Sequence, residues 1–156
     1  IIIACNTAHL LQPDIEQRLN IRITSMVDAA IDYVSRHYKT IRLLASPTTI
    51  RTGLYDKPLK AAGVTVLTPD KDEEQALEVI IRAVISDQAI PQSVLDKIPI
   101  TTQYEQANAV NYINNYPSSP PVLLGCTELS CAFAEKPNTI DPINILLRYL
   151  TIKGVL

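Results

Sequence analysis

Short apolar runs alternate with longer stretches of helical period along the chain, and this alternation restricts the fold more than any other feature. Residues 1–4, 41–45, 64–67, 122–124 and 138–141 read as short strands, several rich in β-branched side chains and bounded by turn residues. Between them the period changes. Val27, Ala30, Ile31 and Val34 fall at i, i+3, i+4 and i+7, which predicts a helix over 27–38. Ala76, Leu77, Ile80, Ile81 and Val84 do the same for a long helix over 72–86. Helices are also expected over 8–19, irregular near Pro13, and over 50–62, capped by Thr48 or Thr49 and closed by Gly63. Others are expected over 103–116, over 127–133, and from Pro142 to about residue 152. Residues 87–100 read as a loop with a short helical piece. Strand and helix in repeated succession make βαβ units, so the expected class is α/β, with parallel sheet flanked by helices on both faces.

Composition narrows the function. The 156 residues carry 14 Lys and Arg against 16 Asp and Glu, a net charge of -2. That excludes a nucleic-acid binder driven by phosphate contacts. With no Trp and one Phe, the chain also lacks stacking platforms for single strands. No apolar run approaches the ~18–20 residues of a membrane span, and no secretory leader is legible, so no membrane partner is expected. Three Cys without a C-x-x-C pair argue against a disulfide framework and a zinc ribbon, and make a cytoplasmic location the expectation. The chain opens on Ile1-Ile2-Ile3-Ala4, without Met and inside an apparent strand, and is read as a fragment lacking an N-terminal part.

Two segments match in plan. Ile1-Ile2-Ile3-Ala4-Cys5-Asn6-Thr7 and Val122-Leu123-Leu124-Gly125-Cys126-Thr127-Glu128 each run from an apolar strand through a small residue and a Cys into cap-forming polar residues. Each Cys then stands at the carboxyl end of a parallel strand, where open α/β sheets bind ligands. A helix N-terminus at that point is expected to lower the thiol pKa from ~8.5 toward neutrality and to attract a ligand carboxylate. A single such Cys is most simply a small buried hydrophobe. Two in matching settings point to two activatable thiols around one anion slot. Cys131, beside Ala132 and Phe133, reads as core. Cys5 and His9 at i, i+4 have zinc spacing but need two more ligands, for which Cys126 is the one candidate. A Cys-His hydrolase dyad would leave the second Cys segment unexplained.

Cys5-Asn6-Thr7-Ala8-His9 and Leu124-Gly125-Cys126-Thr127-Glu128-Leu129 together resemble the paired signatures of the aspartate/glutamate racemase superfamily. A third block, Leu43 through Ser46-Pro47-Thr48-Thr49 to Gly53-Leu54-Tyr55, resembles the family's strand, Thr/Ser turn and Gly-x-Tyr helix. The aspartate racemase branch is the nearest likeness, because Glu128 stands where glutamate racemases carry His. The resemblance implies two pseudo-symmetric half-domains, the first incomplete, with 1–25 and 134–156 as its remnant and 26–133 as the second. It implies racemisation of aspartate or glutamate with no cofactor, neither pyridoxal phosphate nor metal, in a homodimer. Cys5 and Cys126 would be the acid/base pair. Asn6, Thr7 and Thr127 would hold the substrate's carboxylate or amino group, and Thr49 with Thr48 the carboxylate from the facing half. Glu128 would tune Cys126 or meet the amino group, and His9 would stand behind the first motif. The alternatives within the likeness are maleate isomerisation, hydantoin racemisation, malonate decarboxylation (disfavoured because both Cys are kept), and an inactive fragment that keeps the fold.

Overall fold

The structure, a computed structural model, describes residues 1–100, 120–133 and 135–154. Four parallel strands form one sheet in the order β2-β1-β3-β4, with β1 Thr40–Ala45, β2 Thr65–Leu67, β3 Val122–Gly125 and β4 Thr139–Ile140. The chain leaves β1 toward β2 on one side, then crosses back to place β3 on the other. The point where that direction reverses lies between β1 and β3, and such a point opens a crevice at the carboxyl ends of the strands. Leu43 pairs with Leu123 and Ala45 with Gly125, so the two strand ends lie side by side.

Strand alternation sorts the core into two layers. Ile41, Leu43, Ala45 and Leu123 face α2 (Met26–His37), which presents Val27, Ala30 and Val34. Leu44, Val122 and Leu124 face the opposite way, onto Ala76, Leu77 and Ile80 of α5 (Lys71–Ile85) and Leu129 and Phe133 of α7 (Thr127–Phe133). Each fully buried Leu or Ile contributes about 1.5–3 kcal/mol to this arrangement. The helix α8 (Pro142–Ile152) closes the first layer through Leu146 and Leu150 against Met26. Its residues and β4 come from 134–156, the segment that the family likeness groups with the first half-domain.

Several helix starts are chemically explicit. Ser25, Asp70 and Asp141 each accept a backbone N–H at the start of α2, α5 and α8, and Asp70 with Glu73 makes a full capping box. The helix expected over 50–62 is two helices, α3 (Pro47–Thr52) and α4 (Asp56–Ala61). Ser46, rather than Thr48 or Thr49, caps the first, and Gly53 ends it at φ +70°, a left-handed conformation that suits glycine. Residues 8–19 divide likewise into a 3-10 turn, Thr7–Leu11, and α1 (Gln12–Leu19), with Pro13 in the first turn of α1. Residues 1–4 are not a buried strand. Ile2 makes a single bridge to Thr24, and Ile1 and Ile2 are exposed. The short helical piece expected after residue 87 is α6 (Gln92–Leu95), and the helix expected over 103–116 lies outside the described residues.

Gly125 sits where a side chain has no room. A Cβ placed there would lie 2.9 Å from the Ala45 Cβ, 3.0 Å from a Leu43 methyl and 3.3 Å from the Tyr55 ring. Gly125→Ala is expected to destabilise the fold by about 1–3 kcal/mol through overpacking, read as a lower thermal midpoint.

Candidate active site

The crevice between β1 and β3 gathers residues from three stretches of chain. From the junction of β3 and α7 come Cys126, Thr127 and Glu128, from the start of α3 after β1 come Ser46 and Thr49, and from the amino-terminal stretch come Asn6 and Thr7. The last two are joined to the β1 end by side-chain bonds. Thr7 Oγ1 lies 2.9 Å from Thr49 Oγ1 and 3.3 Å from Ser46 Oγ. The Ser46 hydroxyl donates to Thr49 Oγ1 at 3.1 Å and accepts the Thr49 N–H at 3.3 Å. Three hydroxyls thus form one cluster, with Thr49 fully buried at its base. Beside it the Tyr55 hydroxyl donates to Asn6 Oδ1.

Asn6 and Thr7 were expected to cap their own helix. Asn6 makes no side-chain cap bond. Both side chains are instead committed to residues distant in sequence, and that commitment draws the first Cys motif to the carboxyl edge of the sheet. Thr48 does not join the cluster, and its hydroxyl accepts from Arg51 at 3.4 Å. Sequence reading missed Ser46 as a site residue, although a Ser directly before a helix-starting Pro was a legible signal. Tyr55 was quoted within the third motif but given no role.

Cys126 is buried, and its S–H donates to Glu128 Oε2 at 2.9 Å. The expected acidification of this thiol is not found. Burial first, and then the bond to and charge of the Glu128 carboxylate, push its pKa up from 9.0 to about 12. The neighbouring Cys5 adds a further rise, which brings the two thiols within electrostatic reach of each other. Burial alone would raise the Glu128 carboxyl too. Donation from the Cys126 thiol, its own N–H and the Thr127 hydroxyl at 3.2 Å holds it below the usual carboxylate range. The resting pair is therefore a thiol hydrogen-bonded to a carboxylate, a proton donor beside its acceptor. Cys5, by contrast, is exposed.

A thiol whose pKa rises on folding gives stability that is complete below its unfolded value and lost as pH climbs through the folded one. The unfolding free energy is expected to fall between pH 9.0 and about 12. Tyr55, likewise raised by burial and by Asp141, Asp28 and Cys126, steepens the loss above 10.0. Urea denaturation across this range should give a shallower slope for Cys126→Ala.

His9 is buried and fully engaged. Met26 N–H donates to Nε2 at 3.2 Å, so Nδ1 carries the proton and donates to the Cys5 carbonyl at 2.8 Å. With both nitrogens in use, it anchors the backbone of the first motif rather than serving as a ligand or base. Cys131 is exposed, not core, with its Sγ 3.8 Å from the Thr127 carbonyl. A groove of 1010 Å³ lies away from the thiols, lined by Asp28, Asp32, Arg36 and Arg148 and by none of the residues of the crevice. No helix among the described residues is long and apolar enough to cross a membrane.

The same fold recurs in known racemases. An aspartate racemase homologue from Pyrococcus horikoshii superposes with a TM-score of 0.69 at 23% identity, covering 100% of this chain and 66% of that one. The Picrophilus torridus aspartate racemase superposes at 0.62 and 22%, covering 91% and 56%. Among curated proteins, the broad specificity amino-acid racemase RacX of Bacillus subtilis is 31% identical over 84 residues, 54% of this chain and 37% of RacX. The chain thus spans about two fifths of that relative's length and less than two thirds of either structure's. The profile of the Asp/Glu/Hydantoin racemase family matches residues 1–150. With that match over a parallel α/β sheet, this chain belongs to the Asp/Glu/hydantoin racemase family.

Proposed function

We propose that this chain carries the acid/base site of an amino-acid racemase that interconverts L- and D-aspartate, or glutamate, without a cofactor. The observation that carries the reading is the bond between Thr7 and Thr49, which ties the first Cys motif to the end of β1, the strand paired with the one that leads into Cys126. Racemisation removes the α-proton on one face of the carbon and returns one on the other. One fixed base cannot serve both faces, whereas two thiols flanking the carbon can, one as base and one as acid, with roles exchanged for the opposite enantiomer. The state of Cys126 fits this. It rests as a protonated thiol, the form it needs when it acts as the acid, hydrogen-bonded to Glu128 at 2.9 Å.

The α-proton of an amino acid is a very weak acid, so donors must stabilise the charge that develops on the carboxylate as the carbanion forms. Thr7, Thr49 and Thr127 are the candidates, with Asn6 holding a substrate carboxylate in the ground state and the transition state alike. In this reading residues 1–25 and 134–156 belong to a first half-domain and 26–133 to a second, with substrate held between them. The three free thiols suit a reducing cytoplasm. Exposed Ile1, Ile2, Leu10, Leu11 and Leu19 favour a homodimer.

The test is a substrate panel. Polarimetry with L- and D-aspartate, glutamate and a hydantoin, beside ultraviolet absorbance with maleate, should show loss of rotation with an acidic amino acid. Turnover of maleate or hydantoin alone would transfer the site to that chemistry, and no turnover at all would leave a fold without activity.

A further inference from the structure

Tyr55 lies in the core yet spends its one polar group on a residue of the first Cys motif. It is fully buried, stands at the start of α4, and packs in the layer with Leu43, Leu59 and Val66. Its hydroxyl donates to Asn6 Oδ1. Asn6 is itself only 2% exposed, and its Nδ2 has no hydrogen-bond partner among the described residues. A buried amide donor left unpaired is costly, and proteins rarely tolerate one unless something else supplies the acceptor.

The contrast with the other helix starts is informative. Ser25, Ser46, Asp70 and Asp141 each turn their side-chain oxygen onto their own helix. Asn6, placed the same way before Thr7–Leu11, does not. Its oxygen is held by Tyr55, and the other end of the carboxamide is left as a free donor, flanked in sequence by Cys5 and by Thr7 of the hydroxyl cluster. The phenol enforces that orientation. Burial holds it in the neutral, protonated form, and among the described residues that proton has Asn6 as its partner, so the amide end that faces it is the one that accepts.

We infer that Tyr55 is a positioning residue that acts through Asn6, fixing its carboxamide so that Nδ2 is presented to a carboxylate of the bound substrate. The inference rests on the racemase reading for the identity of the ligand, an acidic amino acid. Without the phenol the amide is free to turn its oxygen toward that carboxylate, where it repels. Because the carboxylate is charged in the ground state and the transition state alike, the loss falls mainly on KM rather than kcat.

Binding of succinate, a dicarboxylate that cannot racemise, tests this without turnover. Calorimetric titration is run on the full chain, Tyr55→Phe, Asn6→Ala and the double variant, with Asn6→Ser in place of Asn6→Ala should the latter not fold. Each single substitution is expected to weaken succinate binding at least about tenfold, the loss of one hydrogen bond to a charged group. The double variant is expected to bind no more weakly than Asn6→Ala alone, because Tyr55 acts only through Asn6. Three results overturn the proposal: no succinate binding by the unmodified chain, unchanged binding by Tyr55→Phe, or losses that multiply in the double variant, as separate packing effects would. Aspartate racemisation by the same proteins tests the underlying reading separately. Succinate binding with the expected coupling but no racemisation retains the role of Tyr55 and removes the racemase assignment, and a rise in KM at near-constant kcat in Tyr55→Phe supports both.

Discussion

Alanine at Cys126 or at Cys5 is expected to cut racemisation by about 10²–10⁴-fold, the usual worth of a positioned general acid or base. Replacing both is expected to cost no more than replacing one, because each turnover needs an acid and a base, and a unit that has lost one member is already disabled. The structure makes the two losses unequal in origin. Cys126 is buried and paired with Glu128, so its removal strands a carboxylate, whereas Cys5 is exposed and its removal leaves the protein core untouched. Stability should therefore change little in Cys5→Ala, and its loss of activity reports chemistry alone. Polarimetry with L- and D-aspartate on the two single variants and the double variant gives the measurement. Losses that multiply would point to two independent contributions rather than one pair.

Glu128→Gln is expected to separate the two influences on Cys126. Burial remains, but the carboxylate that accepts the thiol proton and repels the thiolate is gone. The Cys126 pKa should fall from about 12 toward its ordinary 9.0 without reaching it, since burial is the larger cause. The pH dependence of alkylation by iodoacetamide in a Cys5→Ala, Cys131→Ser background isolates this one thiol. Activity should fall nonetheless, by about 10²-fold, because the thiol loses the charged partner whose hydrogen bond orients it. A pKa that stays near 12 in Glu128→Gln would assign the whole shift to burial.

How much of this was legible in the sequence depends on how local each determinant is. Strands β1 and β3 and helices α2, α5 and α8 were readable, because apolar period, caps and Pro142 act within a few residues. The two Cys segments were readable as a pair for the same reason. Asn6 and Thr7 were misread as caps because their true partners, Tyr55 and Thr49, lie 49 and 42 residues away. No local rule sees that a hydroxyl cluster outcompetes a backbone N–H. The three leading Ile promised a buried strand, yet apolar character alone does not supply a sheet edge, and only the Ile2 bridge to Thr24 forms. The expected acidification of Cys126 failed because a helix start is a weaker influence than burial beside a carboxylate. Glu128, two residues on, was visible in the sequence, but the depth of the thiol was not. Cys131 could have been placed correctly. Leu129 and Phe133, at i and i+4, define the buried side of α7, and Cys131 falls between them on the other.

The central claim is that two thiols face one α-carbon from opposite sides, and exchange of the α-proton in heavy water tests it most directly. In the proposed reading, Cys126 would take the proton of L-aspartate and Cys5 that of D-aspartate. Proton NMR of the α-position should then show Cys5→Ala exchanging the L-enantiomer slowly without inversion, and Cys126→Ala exchanging only the D-enantiomer. Inversion by Cys5→Ala at the rate of the unmodified protein would contradict the two-base account, and equal exchange of both enantiomers by each variant would contradict the assignment of faces.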